Sequence, residues 1–137
     1  MPDTTVMQAK RLGVFTCLPD TRLLDAARRM AEEDVSALVV ADAEGGLTGI
    51  LTRIDLLRAH AAHADWSTYR VGDYMNPNVV TVDPETTLSE VSATLLSHHI
   101  HRVVVVRREG ARLRPIAVVS AADLVYHMVK NLERVSA

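Results

Sequence analysis

Apolar residues along the chain alternate between two periodicities, and the switches mark out its elements. Val14–Cys17 is a short apolar run stopped by Pro19, which reads as a strand. Leu23, Leu24, Ala26, Ala27 and Met30 then recur at helical spacing, with Arg28, Arg29, Glu32 and Glu33 on the opposite side. Ala37–Ala41 returns to a β-rich run, Asp42-Ala43-Glu44-Gly45-Gly46 supplies a hairpin turn, and Leu47–Leu51 forms the partner strand. A helix is expected to open at Thr52 and to run through Leu56, Leu57 and Ala59. The second half follows the same order. Val79–Val82 predicts a strand, and Thr87–Ser97 a helix with a Thr87-x-x-Glu90 capping box. Arg102–Val106 and Leu113–Val119 predict a hairpin around Glu109-Gly110, and Ala121 to about Arg134 a last helix. Val103–Val106 is apolar without alternation, the pattern of a strand covered on both faces.

The two halves also correspond residue by residue. At an offset of 65, Pro19-Asp20-Thr21-Arg22-Leu23 falls on Pro84-Glu85-Thr86-Thr87-Leu88, and Val35-Ser36-Ala37-Leu38-Val39-Val40 on Ile100-His101-Arg102-Val103-Val104-Val105. The second hairpin holds three extra residues, after which Gly49–Asp55 matches Ala117–Asp123 at an offset of 68. The fold class this implies is α/β (α+β): two β-α-β-β-α repeats related by pseudo-symmetry and packed through their sheets. The boundaries read as 11–64 for the first repeat, 65–78 for a connecting segment and 79–134 for the second repeat. Trp66, Tyr69 and Tyr74 concentrate the aromatic surface around that connection, where they are expected to pack it onto the two halves.

Composition narrows the function classes. With 137 residues, 48% of them hydrophobic, the chain can bury one substantial core. A formal charge of −2 offers no basic footprint for a nucleic-acid backbone. No apolar run approaches the ~18 residues of a membrane span. Met1-Pro2-Asp3-Thr4-Thr5 lacks the layout of a signal peptide, so the cytoplasm is the expected compartment. The single cysteine, Cys17, is expected to be a buried, inert thiol.

Candidate chemistry gathers at matching places. Thr52-x-x-Asp55 and Ser120-x-x-Asp123 each follow a strand directly, and a hydroxyl with a carboxylate three residues on caps a helix without any ligand. The same place offers free backbone N–H groups and a positive dipole end for an anion, and a carboxylate there can accept from the vicinal hydroxyls of a ribose. His101 and Arg102 precede an apolar strand and carry donors suited to phosphate; the matching Ser36 and Ala37 do not. His98, His99 and His101 lack the converging partners a metal needs, so no metal is expected. No nucleophile elbow, Walker loop or dinucleotide fingerprint is present, and no catalytic residue is assigned.

These motifs together resemble a tandem pair of cystathionine β-synthase (CBS) domains, the Bateman module, from about Arg11 to Lys130. The resemblance rests on Tyr74-Met75-Asn76-Pro77 with Val79-Val80-Thr81-Val82 and Pro84, and on Gly49-Ile50-Leu51-Thr52-Arg53-Ile54-Asp55. Val35-Ser36-Ala37-Leu38 and His101–Val105 are also similar to segments of the nucleotide-binding γ regulatory subunit of AMP-activated protein kinase. The resemblance implies two composite ligand sites. One would use Thr52, Asp55, Val79, Val80, Thr81, His101 and Arg102; the other Ser120, Asp123, Phe15, Thr16, Val35, Ser36 and Ala37. Ala117 departs from the glycine expected after the second hairpin, and Lys10-Arg11-Leu12-Gly13 departs from the family's Met-x-Pro lead-in. The implied function is a regulatory, non-enzymatic energy sensor. It would bind AMP, ADP or ATP as a regulatory ligand, without a catalytic cofactor, and signal to an unknown downstream protein. A homodimer is expected, with the apolar faces of Leu56-Leu57 and Leu124-Val125-Met128 serving either as its contact surfaces or as packing within the chain, and with neither nucleic acid nor membrane as partner. The competing readings are a ligand-free dimerisation scaffold and a sensor of another adenosyl ligand, NAD or S-adenosylmethionine.

Overall fold

A computed structural model describes residues 4–10 and 13–136, with side chains described through residue 133. Met1-Pro2-Asp3, the assigned start of the first repeat at Arg11, and Leu12 of its lead-in lie outside the described residues. In chain order the elements are α1 (Val6–Ala9), β1 (Thr16–Cys17), α2 (Leu23–Glu33), β2 (Ala37–Ala41), β3 (Leu47–Thr52) and α3 (Arg53–Ala62). A 3₁₀ turn at Trp66–Thr68 leads to α4 (Val71–Tyr74), β4 (Thr81–Val82), α5 (Leu88–His98), β5 (Arg102–Glu109), β6 (Arg112–Ser120) and α6 (Ala121–Ser136). The mixed α/β class and the two three-stranded sheets agree with the pattern read from the sequence.

The chain divides into two compact units. The first joins Val14–Val79 to Glu109–Pro115, and the second holds the remainder. In the first unit β1 runs parallel to β2 and β2 antiparallel to β3, with Thr16 opposite Val39 and Ala37 opposite Thr52. Helix α2 covers this sheet because Leu23, Ala26 and Met30 lie on one face; all three are buried with Leu38, Val40, Leu51, Ala59 and Val71. In the second unit β4 runs parallel to β5, Thr81 opposite Val104, and β6 completes the sheet. Leu88, Val91 and Leu95 of α5 stand where Leu23, Ala26 and Met30 stand in α2, and they are buried with Val103, Val105 and Val119. Both helices end on a left-handed residue, Asp34 at φ 51° and His99 at φ 54°. Polar side chains tolerate this conformation better than branched ones do.

Each unit is completed by a short helix, and the two helices correspond at the same offset of 65. In the first unit Val71 N donates to Thr21 O at 2.8 Å, Gly72 N to Pro19 O at 2.9 Å, and Leu23 N to Tyr69 O at 2.8 Å. In the second, Val6 N donates to Thr86 O at 2.9 Å, Met7 N to Pro84 O at 3.3 Å, and Leu88 N to Thr4 O at 2.8 Å. The lead-in to the second repeat is therefore built into the first unit, and the N-terminal segment into the second. Trp66, Tyr69 and Tyr74 pack against the first unit's core.

The short parallel strands are shorter than their apolar runs. Only Thr16–Cys17 and Thr81–Val82 form strands, although Phe15 O and Val80 O extend the ladders by accepting from Val39 N and Val104 N at 3.1 Å each. The second hairpin is longer than expected, and its tip belongs to the first unit. There Arg112 pairs with Glu44, and its Cγ lies 2.9 Å from where a Cβ on Gly46 would sit, so a side chain at Gly46 would displace it.

Candidate functional site

Each unit ends its sheet with a strand that runs directly into a helix, and the sequence builds both junctions from the same parts. In the first, Thr52 is the N-cap of α3. Asp55 N donates to the Thr52 hydroxyl oxygen at 3.4 Å, and Asp55 Oδ2 accepts from Thr52 N at 2.8 Å and from the Thr52 hydroxyl at 3.1 Å. In the second, Asp123 N donates to Ser120 Oγ at 3.4 Å, and Asp123 Oδ2 accepts from Ser120 N at 2.8 Å and its hydroxyl at 3.1 Å. The first helical N–H is also held alike: Arg53 N donates to Ser36 O at 3.2 Å and Ala121 N to His101 O at 2.9 Å. The backbones of Ser36 and His101 therefore satisfy one of the open donors that every helix start presents.

The two carboxylates differ in what else they meet. Asp55 is 7% exposed, the one buried polar residue among the described residues, and its Oδ1 accepts from Arg58 Nη1 at 3.4 Å. Arg58 lies one turn along the same helix with its side chain 71% exposed. Asp123 is less buried, and its Oδ2 receives Lys10 Nζ at 2.7 Å, from the segment that follows α1. Burial pushes the Asp123 carboxyl up, but the bonds from Lys10 and Ser120 together with the Lys10 charge outweigh it and hold the group below the usual carboxylate range. A cavity of about 170 Å³ adjoins this pair, lined by Ala9, Lys10, Leu88, Val119, Asp123, Tyr126 and His127.

The remaining expected ligand residues fall into two sets. The first unit brings Phe15, Thr16, Val35, Ser36, Ala37 and Val79 into the same body as Thr52 and Asp55, with Ala37 directly opposite Thr52. Phe15 is half-exposed, and the Arg29 guanidinium lies 5.3 Å from its ring centroid. Val35 packs partly against the core. The second unit holds Val80, Thr81, His101, Arg102, Ser120 and Asp123. His101 is exposed, and Arg102, half-buried, opens β5. A groove of about 650 Å³ lies beside β1 and α2; of the expected residues only Thr16 lines it.

Several side chains find plain structural roles. His98 Nδ1 lies 3.0 Å from Thr94 O at the end of α5, and His99 is the left-handed C-cap. Cys17 is half-buried rather than fully buried, and burial pushes its thiol up to about 11, against a smaller opposing pull from Arg29. The thiol is therefore protonated and a poor nucleophile at neutral pH. The Thr52 and Ser120 hydroxyls each donate to the carboxylate of their own cap.

Sequence reasoning missed Lys10 and Arg58. Arg58 was within reach of a spacing rule, since it stands three residues from Asp55 on a helix. Lys10 was visible only as a departure from the lead-in, because its bond to Asp123 spans 113 residues.

Comparison with known proteins bears on this arrangement. The CBS domain family matches the chain twice, over residues 6–62 and 71–130. Hypoxic response protein 1 of Mycobacterium tuberculosis is 28% identical over 130 residues, spanning 93% of this chain and 87% of that protein. Among solved structures, the CBS-domain containing protein ATU1752 from Agrobacterium tumefaciens superposes with a TM-score of 0.78 at 28% identity, over 90% of this chain and 98% of its own. CBSX2, solved in complex with AMP, superposes with a TM-score of 0.79 at 26% identity, over 93% and 97% of the two chains.

Proposed function

The chain belongs to the CBS domain family, with two repeats in tandem, and we propose on that footing that it is a regulatory sensor of an adenine nucleotide in the AMP, ADP or ATP class. The observation that carries the proposal is the buried carboxylate of Asp55 at a strand-to-helix junction, with the Thr52 hydroxyl and a helix N-terminus beside it. A carboxylate in that setting can accept from the two hydroxyls of a ribose, while the helix start favours a phosphate. The AMP complex of CBSX2 supports an adenosyl ligand for a relative of this fold. In the proposed assignment Thr52 and Asp55 hold the sugar, Val79, Val80 and Thr81 flank the base, and His101 with Arg102 meet phosphate. The second set is Ser120 and Asp123 with Phe15, Thr16, Val35, Ser36 and Ala37.

Output would pass to a protein partner by a shift between two arrangements, limited by the ligand's differential affinity for them. A homodimer in the cytoplasm is the proposed form. Ile54 and Leu57 of α3 and Val125, Met128 and Leu132 of α6 are exposed and available for it. Leu56 and Leu124 pack with the two cores, the intramolecular alternative for those faces. No helix among the described residues is long and apolar enough to cross a membrane.

Calorimetry of ligand-free protein with AMP, ATP, NAD and S-adenosylmethionine tests the reading. Tight binding of an adenine nucleotide is expected, and Asp55→Ala should weaken it by about 1.5–3 kcal/mol, the range for a hydrogen bond to a charged group. Binding of none of the four removes the sensor. An Asp55→Ala protein with unchanged affinity and a lowered Tm returns Asp55 to capping alone. The Lys10–Asp123 pair favours a scaffold reading for the second site, since it occupies that carboxylate without a ligand.

A further inference from the structure

We propose that Lys10 is a built-in substitute for ligand at the second helix end, closing Asp123 to a nucleotide, so that each chain binds one adenosyl ligand through Asp55 and not two. The inference rests on the nucleotide reading above and fixes its stoichiometry. Asp123 Oδ2 already accepts from Ser120 N and the Ser120 hydroxyl, and Lys10 Nζ adds a third donor at 2.7 Å. A ribose hydroxyl approaching Oδ2 meets this ion pair. The backbone leading to Lys10 is itself fixed, because His127 Nε2 lies 3.2 Å from Ala9 O and Lys10 N donates to Val6 O at 3.0 Å. The adjoining cavity of about 170 Å³ is smaller than the roughly 300–1,000 Å³ of small-molecule sites.

The two repeats differ at this position. Lys10 corresponds to Met75, which packs against the first unit's core. Gly49 makes that packing fit: a Cβ there would lie 2.7 Å from Met75 Sδ and 3.0 Å from Asn76 O. The matching position in the second unit is Ala117, which is buried. At position 10 the lysine extends to the Asp123 carboxylate. Asp55 is paired instead by Arg58, which is exposed and shares its helix, so a ligand can displace it into water.

The experiment titrates wild type, Lys10→Ala, Asp55→Ala and the Lys10→Ala/Asp55→Ala double variant with AMP and with ATP by calorimetry. Lys10→Gln is run in parallel, and the thermal melt of each protein is recorded. Wild type should bind one nucleotide per chain and Lys10→Ala two. The double variant should bind at least roughly tenfold more tightly than Asp55→Ala, as expected for removing a competing bond to a charged group. Lys10→Gln, which keeps a polar donor one atom shorter and loses the charge, should behave like Lys10→Ala. Two nucleotides on wild type, or a double variant as silent as Asp55→Ala while wild type binds one, overturns the inference and leaves the sensor standing. Weaker binding by Lys10→Ala also overturns it, making the lysine a phosphate contact. Silence of all the proteins overturns the sensor reading and this inference together.

Discussion

The helix ends at Thr52 and Ser120 are made of the same three bonds at the same lengths, yet their carboxylates are neutralised from different directions. Asp55 is served by Arg58, three residues away on its own helix, while Asp123 is served by Lys10, 113 residues away. The cap geometry follows from running a strand straight into a helix, so it repeats wherever the backbone repeats. The counter-charge depends on single side chains in whichever segment packs nearby. A duplicated backbone therefore supplies two equivalent frames, and substitutions at positions 10 and 117 make one of them different.

The comparison can be broken first at the cores. Leu23 and Leu88 are 0% and 1% exposed and occupy equivalent positions in α2 and α5. Truncation of either to alanine should cost about 2–5 kcal/mol of stability, by the lost burial and the cavity left behind. Chemical denaturation of the two variants should give values of similar size. If one substitution proves nearly silent, the cores are not equivalent in energy however well their positions match.

A smaller effect separates positions 49 and 117. Gly49→Ala drives a methyl into Met75 Sδ and the Asn76 carbonyl. The backbone contact cannot swing aside, so overpacking should cost about 1–3 kcal/mol. Ala117→Gly removes a buried methyl from a strand and should cost about 1 kcal/mol through lost burial and added chain freedom. Both substitutions destabilise, although they are reverses of one another. Stabilisation by either, seen as a raised denaturation midpoint, would show that the Met75 contact does not restrict position 49, or that burial of the Ala117 methyl does not contribute. Below this come the caps themselves: Thr52→Ala and Ser120→Ala should each lower stability by about 1 kcal/mol, and by nearly the same amount.

Much of this architecture was legible because it is local. Helical spacing in Leu23–Met30 and Leu88–Leu95, glycine-bearing hairpin turns, and the capping pairs that begin at Thr52, Thr87 and Ser120 all involve residues within one turn or one hairpin. The helices at Val6–Ala9 and Val71–Tyr74 were not legible. Each has four residues, too few to show a period, and each is held by backbone bonds to a distant turn. The same limit hid Lys10: a lone lysine near a chain start carries no pattern, and only the folded chain brings it to Asp123. Leu56 and Leu57, like Leu124 and Val125, were ambiguous for a related reason: neighbouring apolar residues on a helix divide between core and surface, and only the packing shows which is buried.

The smallest effect bears most directly on the difference between the two ends, and it is read with pH. The Asp123 carboxyl is held below its ordinary value because, burial notwithstanding, Lys10 and Ser120 favour its charged form. A depressed carboxylate contributes stability that is fully present above its unfolded pKa of about 3.9 and is lost as pH falls through the lower folded value. Lys10→Ala removes the cation and the strongest of those bonds, so the folded value should move back toward the ordinary one. The acid limb of the stability curve below about pH 4 should then be shallower in the variant, with the two curves converging once the carboxyl is protonated in both. The pair is about a third exposed, so the difference should be modest and should shrink in high salt. Urea midpoints for wild type and Lys10→Ala at pH 6, 4 and 3 make the measurement. A difference that stays constant from pH 6 to pH 3 would mean that Lys10 stabilises the second unit by packing and not through the Asp123 charge.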